Sequence, residues 1–207
     1  ESLIAFSNKN YYDNKLITFP SADDLKSHVK WQKVEGYYDY GKTRTNTAEA
    51  EAITDEVINR LRSEPERSLG IVAFSRQQSD LIEDILAEKL SKHPELERQN
   101  RQSTEPLFVK NLENVQGDER DVIIFSIGYA KNENGRLIRN FGWLNQKGGE
   151  NRLNVAISRA KKKVHIVTSF EPAELQVEDT KNDGPRILKK YLEYAFAVSA
   201  EDKDSAK

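Results

Sequence analysis

The chain has 207 residues, 37% hydrophobic and 32% charged, with a formal net charge of −2. That length suits one α/β domain with a core of its own, and no apolar run approaches the roughly 20 residues that a membrane span requires. Zero cysteines exclude a disulfide framework and thiolate metal sites, and His28, His93 and His165 stand too far apart along the chain to suggest a metal cluster.

No signal-peptide pattern opens the chain. The cysteine count fits a reducing cytoplasm, the expected compartment, and no membrane partner is expected. Methionine is absent throughout, position 1 included, and the chain therefore reads as a piece of a longer protein. The near-neutral charge carries no broad polyanion-binding signature. It argues against wrapping duplex DNA, yet is compatible with a single-strand groove of backbone amides and a few local cations.

Leu3, Ile4, Phe6, Tyr11 and Tyr12 predict a helix over 1–12. Phe19-Pro20 breaks it, since proline cannot continue a helix and restricts its predecessor. Val29, Trp31 and residues 32–35 suggest a short, half-exposed strand, and a polar, aromatic turn region follows to Asn46. Ala50, Ile53, Val57, Ile58 and Leu61 recur at helical spacing behind an Asn46 or Thr47 cap. The apolar run from Leu69 to Phe74 has the pattern of a parallel strand buried on both faces.

Leu81, Ile82, Ile85, Leu86 and Leu90 predict the next helix, and residues 91–105 read as a loop or ragged helix end. Residues 107–109, 122–127 and 164–168 supply three more strands, and a last helix over 185–198 carries Ile187, Leu188, Tyr191, Leu192 and Ala195 inward. The small, charged residues 199–207 read as a disordered tail. Short apolar strands separated by helices predict a three-layer, doubly wound, mostly parallel sheet. Ligands of such sheets bind outside the carboxyl ends of the strands, which directs attention to the Gln116-Gly117 and Gly148-Gly149 turns.

One segment invites a different reading. Gly36-Tyr-Tyr-Asp-Tyr-Gly-Lys-Thr43 satisfies the phosphate-loop pattern G-x-x-x-x-G-K-[ST], and a working one would make the chain a standalone nucleotidase using Lys42 and Thr43. Three tyrosines and an aspartate crowd a path along which successive amides must close around a phosphate. The preceding Lys30–Glu35 is mostly polar, and the helical pattern starts several residues late. No predicted strand ends in an acidic residue that would hold magnesium. An exposed aromatic turn is the plainer reading.

Two stretches carry stronger chemistry. Asn151-Arg-Leu-Asn-Val-Ala-Ile-Ser-Arg-Ala160 puts Arg152 and Arg159 seven residues apart, on about the same face of a helix. An arginine offers two aligned hydrogen bonds and a permanent charge, as a departing γ-phosphate requires, and it can come from a neighbouring domain. Arg152, behind the Gly-Gly turn, is expected to reach across a cleft; the alternative is that both arginines solvate a surface helix. Upstream, Val115-Gln-Gly-Asp-Glu-Arg-Asp121 puts a glycine where a backbone can approach a ligand. There Glu119 can accept hydrogen bonds from a ribose hydroxyl, and the alternative is an ordinary charged turn.

Phe108-Val-Lys-Asn-Leu-Glu-Asn-Val-Gln-Gly-Asp-Glu-Arg-Asp-Val-Ile-Ile-Phe-Ser126 resembles motif V of superfamily 1B helicases of the nonsense-mediated-decay and Dna-two-like group. Phe141-Gly-Trp-Leu-Asn-Gln-Lys-Gly-Gly-Glu-Asn-Arg-Leu-Asn-Val-Ala-Ile-Ser-Arg-Ala160 resembles their motif VI. Gly70–Gln78 is similar to motif IV, with Gln78 at the family's glutamine, and Asn46-Thr-Ala-Glu-Ala50 matches a helix-opening N-x-x-E-A pattern. Residues 1–20 resemble the segment that directly follows the family's motif with a second catalytic arginine, and residues 184–195 the segment after motif VI in large bacterial members.

The resemblance implies a second, C-terminal RecA-like domain over 1–198: an entry helix and connecting segment (1–46), then a core (47–198). It implies Arg152 as the arginine finger, with Arg159 supporting the motif or contacting phosphate. Gln116, Gly117 and Glu119 would lie on the nucleotide side, and Asn111, Glu113 and Asn114 beside the nucleic-acid backbone. Glu113 replaces the aspartate of the nonsense-mediated-decay helicases, and Ser75 their motif IV tyrosine. ATP and Mg2+ would be held mainly by an upstream RecA-like domain, the implied partner together with single-stranded DNA or RNA. A non-catalytic α/β binding module is the remaining alternative.

Overall fold

The computed structural model describes residues 2–15, 28–138 and 141–205; the expected break at Phe19-Pro20 lies outside them. Five parallel strands form the central sheet: β1 (Val29–Lys33), β2 (Leu69–Ala73), β3 (Phe108–Asn111), β4 (Arg120–Ser126) and β7 (Ala160–Thr168). Their order is β1-β7-β4-β2-β3. The most apolar runs therefore hold the three inner places: β2 is buried throughout, and so are the last five residues of β4 and of β7. Such strands bury side chains on both faces, as a parallel sheet between helical layers demands.

One face is covered by α2 (Thr47–Ser63), α3 (Arg76–Ser91) and α4 (Pro94–Gln102). There Ile53, Val57, Ile82 and Leu86 meet Ile71, Ile124 and Val167. The other face carries α1 (Ser2–Tyr11), α5 (Gly149–Ile157) and α6 (Gly184–Ser205), where Phe6, Leu153 and Leu192 meet Ile123, Phe125 and Ile166. This is the expected three-layer α/β architecture of a RecA-like domain. Asn46 caps α2 by accepting a hydrogen bond from the Glu49 amide at 3.1 Å, satisfying a donor that the first turn leaves unpaired.

Three local features depart from the sequence expectation. Residues 94–102 form a helix, opened by Pro94 at its first turn and anchored by buried Leu96. A small hairpin, β5 (Ala130–Lys131) with β6 (Leu137–Ile138), follows β4; two-residue strands carry no readable alternation. The backbone of Ser199–Ser205, expected as a disordered tail, is helical as the end of α6. Its start is tied to the sheet edge: the Trp31 amide donates to Ser199 Oγ at 3.0 Å, and Trp31 meets Phe196 edge to face at 5.5 Å.

Candidate functional site

All five strands point one way, so the sheet has an amino edge and a carboxyl edge, and the predicted residues divide between them. The Gln116–Glu119 turn precedes β4 and therefore lies at the amino edge, not outside the carboxyl ends where the sheet rule directs attention. Gly117 has φ +89° with open space where a Cβ would stand. Backbone conformation, rather than close packing, is what asks for glycine there, since an L-residue in that region costs about 1–2 kcal/mol.

Arg159, the last residue before β7, comes to the same edge. Its Nη1 lies 3.8 Å from Glu119 Oε1. The rest of the guanidinium is held by its own helix end: Nε donates to the Val155 carbonyl at 2.9 Å and Nη2 to Ser158 Oγ at 3.0 Å. The Arg120 amide donates to the Arg159 carbonyl at 3.1 Å, locking the two segments together. With Glu119 half-exposed and the contact at 3.8 Å, the pair adds at most about 1 kcal/mol to stability. What it provides is a positioned cation and a carboxylate that remain within reach of solvent.

Lys110 and Arg120 complete this cluster, and the sequence did not single them out. Lys110 pairs with Asp118 and is the main reason that carboxyl is held below the usual aspartate range, with Arg120 and Arg159 adding to the effect. Arg120 lies 4.8 Å over the Phe108 ring and donates to the Pro106 carbonyl at 2.8 Å. Its place inside the Gln116–Asp121 turn was the available signal.

Arg152 goes elsewhere. It sits in the first turn of α5, about 10 Å along the helix axis from Arg159, and its guanidinium lies 5.4 Å from the centroid of Trp143. Its Nη1 is buried without a hydrogen-bond partner among the described residues. The structure thus brings Glu119 together with Arg159 and leaves Arg152 apart from both. The Gly148-Gly149 turn opens α5 beyond the carboxyl ends, so the two glycine turns lie at opposite edges.

At the carboxyl edge, Asn111 ends β3 with its side-chain oxygen accepting the Glu113 amide at 2.9 Å. Glu113 and Asn114 are exposed beside it. The eight residues 112–119 then cross back to the amino edge, anchored by buried Leu112 and Val115. A single short crossover therefore joins the residues expected to meet nucleic acid to those expected to meet nucleotide.

Behind that edge lies a buried polar network built from two separate patterns. Gln78 accepts from the Asn46 amide at 2.9 Å and donates to the Asn46 carbonyl at 3.0 Å and to Ser126 Oγ at 3.2 Å. Ser126 Oγ and the Gly128 amide donate to Glu49 at 2.8 and 2.7 Å. Asn46 Nδ2 donates to Ser169 Oγ at 2.7 Å. Burial pushes the Glu49 carboxyl from its ordinary 4.5 up to about 8, against the pull of the Gly128 and Ser126 donors. The network fixes the starts of α2 and α3 against the ends of β4 and β7.

The Gly36–Thr43 segment packs its first residue against this network. A Cβ on Gly36 would stand 2.4 Å from Asn46 Oδ1 and 2.8 Å from Ser169 Oγ. Thr43 is satisfied locally, its hydroxyl 3.0 Å from the Asp39 carboxylate and 2.7 Å from Thr45 Oγ1. The helix begins only at Thr47, and the strand before the segment is the edge strand β1. Among the described residues no group of three or more His, Asp or Glu side chains is placed to hold a metal ion, and no helix is long and apolar enough to cross a membrane.

Residues 1–171 match the family described as AAA domain. An uncharacterized ATP-dependent helicase of Mycoplasma genitalium is 37% identical over 208 residues, covering 95% of this chain and 17% of that protein. Its homolog in Mycoplasma pneumoniae is 35% identical over 209 residues, covering 96% of this chain and 18% of that protein. The chain thus spans less than a fifth of these relatives. A solved structure described as the C-terminal domain of a possible DNA helicase from Lactobacillus plantarum WCFS1 aligns with 86% of this chain and 92% of its own. Its TM-score is 0.48 at 12% identity.

Proposed function

This chain belongs to the AAA domain family, and on that premise we propose that it is the C-terminal motor half of an ATP-dependent helicase. In this proposal the nucleotide and its Mg2+ are held mainly by an upstream RecA-like domain, and the amino edge of this sheet closes over them. The observation that carries the reading is the convergence of Arg159 and Glu119, 3.8 Å apart, from two motifs distant in sequence.

That geometry favours Arg159, rather than Arg152, as the arginine that meets the γ-phosphate. Its Nη1 faces Glu119 while Nε and Nη2 are spent on its own helix, so one arm of the fork is pre-aimed. A fixed cation of this kind needs no reorganisation as charge develops on the transferring phosphoryl group. Glu119, half-exposed, accepts hydrogen bonds from a ribose hydroxyl, and the positive φ of Gly117 bends the Gln116 turn toward the nucleotide. ATP, when bound, supplies the phosphoryl transfer. This chain contributes charge, orientation and the exclusion of water.

The 112–119 crossover suggests the coupling. Displacement of Gln116–Glu119 as the cleft closes is transmitted through buried Leu112 and Val115 to Asn111, Glu113 and Asn114, moving a single strand held at the carboxyl edge. The test is ATP hydrolysis by the intact protein, with and without single-stranded nucleic acid. We expect strand-stimulated turnover that Arg159→Ala removes while the thermal unfolding midpoint stays within a few degrees of wild type. An intact protein that hydrolyses no ATP ends the motor proposal, and near-normal turnover by Arg159→Ala ends the assignment of the finger.

A further inference from the structure

The Gly36–Thr43 turn, once separated from nucleotide chemistry, still presents aromatic rings that the fold does not use for packing. Tyr37 and Tyr40 are 71% and 64% exposed. The turn that carries them is not loose. The Thr43 amide and hydroxyl both donate to the Asp39 carboxylate, at 3.2 and 3.0 Å, and the Arg44 amide donates to the Asp39 carbonyl at 2.8 Å. The Tyr38 amide donates to the Lys131 carbonyl at 3.1 Å, pinning the turn to the β5–β6 hairpin. Two large rings held outward on a pinned turn offer flat apolar faces on which a planar group can stack.

The surroundings define that ligand's chemistry. A cleft of about 480 Å³ lies between the turn and the hairpin, lined by Tyr37, Tyr38, Tyr40 and Lys42 with Asn132, Asn134 and the carboxylates of Asp39 and Glu133; the Asp39 carboxylate is engaged by the Thr43 amide and hydroxyl. Tyr38 also lines a second cavity of about 280 Å³, together with Arg44, Ser75, Glu113 and Trp143. Tyr38, itself buried, stands between the two and lines both. Trp143 is 37% exposed, and the guanidinium of Arg152 lies over its ring. Lys42 and Arg44 make no ion pair among the described residues. Planar rings alternating with unpaired cations, beside a few amides, are what a single strand needs: bases stack on the rings and phosphates meet the cations.

We propose that the carboxyl edge carries a base-stacking track for single-stranded nucleic acid, running from Trp143 past Tyr38 to the outward rings of Tyr37 and Tyr40, with Arg44 and Lys42 as phosphate contacts and Arg152 positioning Trp143. The proposal rests on the motor reading for the identity of the polymer, and adds where its bases lie. It also gives the phosphate-loop look-alike a function unrelated to phosphate enclosure: the tyrosines that spoil the loop are its working parts.

The experiment measures binding of fluorescein-labelled dT20 and rU20 to the intact protein by anisotropy, without nucleotide, across a salt series. Tyr37→Ala and Tyr40→Ala should each weaken binding about tenfold, as loss of one stacking platform does. Tyr37→Phe and Tyr40→Phe should restore it, which a hydroxyl-mediated role would not allow. Arg44→Gln and Lys42→Gln should each lower the slope of log affinity against log salt by about 0.7, while the tyrosine variants leave that slope unchanged. Trp143→Ala should weaken binding and Trp143→Phe recover most of it. Wild-type binding that persists in the Tyr37→Ala/Tyr40→Ala double variant overturns the track and leaves the motor reading intact. A wild-type protein that binds neither oligonucleotide overturns both. If the tyrosine substitutions disrupt a protein contact and leave oligonucleotide binding unchanged, the surface is a protein-docking face and the track is wrong.

Discussion

The two edges of the sheet solve different problems with the same residue types. At the amino edge, half-exposed Glu119 pairs with Arg159, whose mostly buried guanidinium is held by its own helix end. At the carboxyl edge, Asn46, Glu49, Gln78 and Ser126 are buried and satisfy one another. Groups that must meet a ligand brought by another domain cannot exhaust their hydrogen bonds internally. Groups that hold elements in register must do so, because an unpaired buried polar atom costs about 1–3 kcal/mol. The contrast is between a charged pair that keeps one carboxylate in reach of solvent and a polar network that closes on itself behind the exposed residues of the carboxyl edge.

The largest expected effect probes the exposed edge. In the intact protein Arg159→Ala should lower ATP turnover about 1,000-fold or more, whereas Arg152→Ala should lower it less than tenfold without nucleic acid. The reverse ranking would transfer the finger to Arg152 and dissolve the contrast between the edges.

The closed edge is tested through Glu49. Glu49→Ala leaves the Ser126 and Gly128 donors, and Asn46 Nδ2 at 3.3 Å, without their acceptor and should cost about 3 kcal/mol in urea unfolding. Because the folded carboxyl titrates at about 8 against an ordinary 4.5, the folded state binds the extra proton between those values. Its contribution is complete below pH 4.5 and is lost as pH rises through 8. Glu49→Gln, which cannot ionise, should flatten the decline of stability across that window; an unchanged slope would mean that Glu49 is already charged.

Gly36→Ala should destabilise by about 1–3 kcal/mol, since its Cβ meets Asn46 and Ser169 in a packed network. The smallest effect is expected at Thr43. Thr43→Ala removes the hydroxyl's two partly exposed hydrogen bonds, to Asp39 and Thr45, at a cost of about 1 kcal/mol, and should leave ATP turnover at the wild-type rate. Lost turnover there would restore the phosphate-loop reading and place nucleotide at the wrong edge for this comparison.

Much of the scaffold was legible beforehand because burial leaves a pattern. The run at Leu69–Phe74 could serve only a strand covered on both faces, and the stripe from Ala50 to Leu61 only a helix with one buried face. The β5–β6 hairpin was not legible, because two-residue strands have no period to read. The end of α6 was missed because the charged composition past Val198 resembles a solvated tail, while the hydrogen bond that ties Ser199 to Trp31 spans 168 residues. Of the expected site residues, Glu119 stands beside Arg159 with Gln116 and Gly117 in the same turn, and Asn111, Glu113 and Asn114 stand together at the other edge.

Sequence alone determined the alternation of strands and helices, the two motifs, and the poor fit of Gly36–Thr43 to a phosphate loop. These are statements about neighbours along the chain, where periodicity and side-chain bulk act directly. Which arginine joins Glu119 was decided by the fold. Spacing puts Arg152 and Arg159 on one helix face, but α5 runs between the edges of a parallel sheet, so one arginine begins near the carboxyl ends and the other finishes at the amino ends. The direction of a helix across a sheet is a tertiary property, and it determines the side of the molecule on which each charge acts.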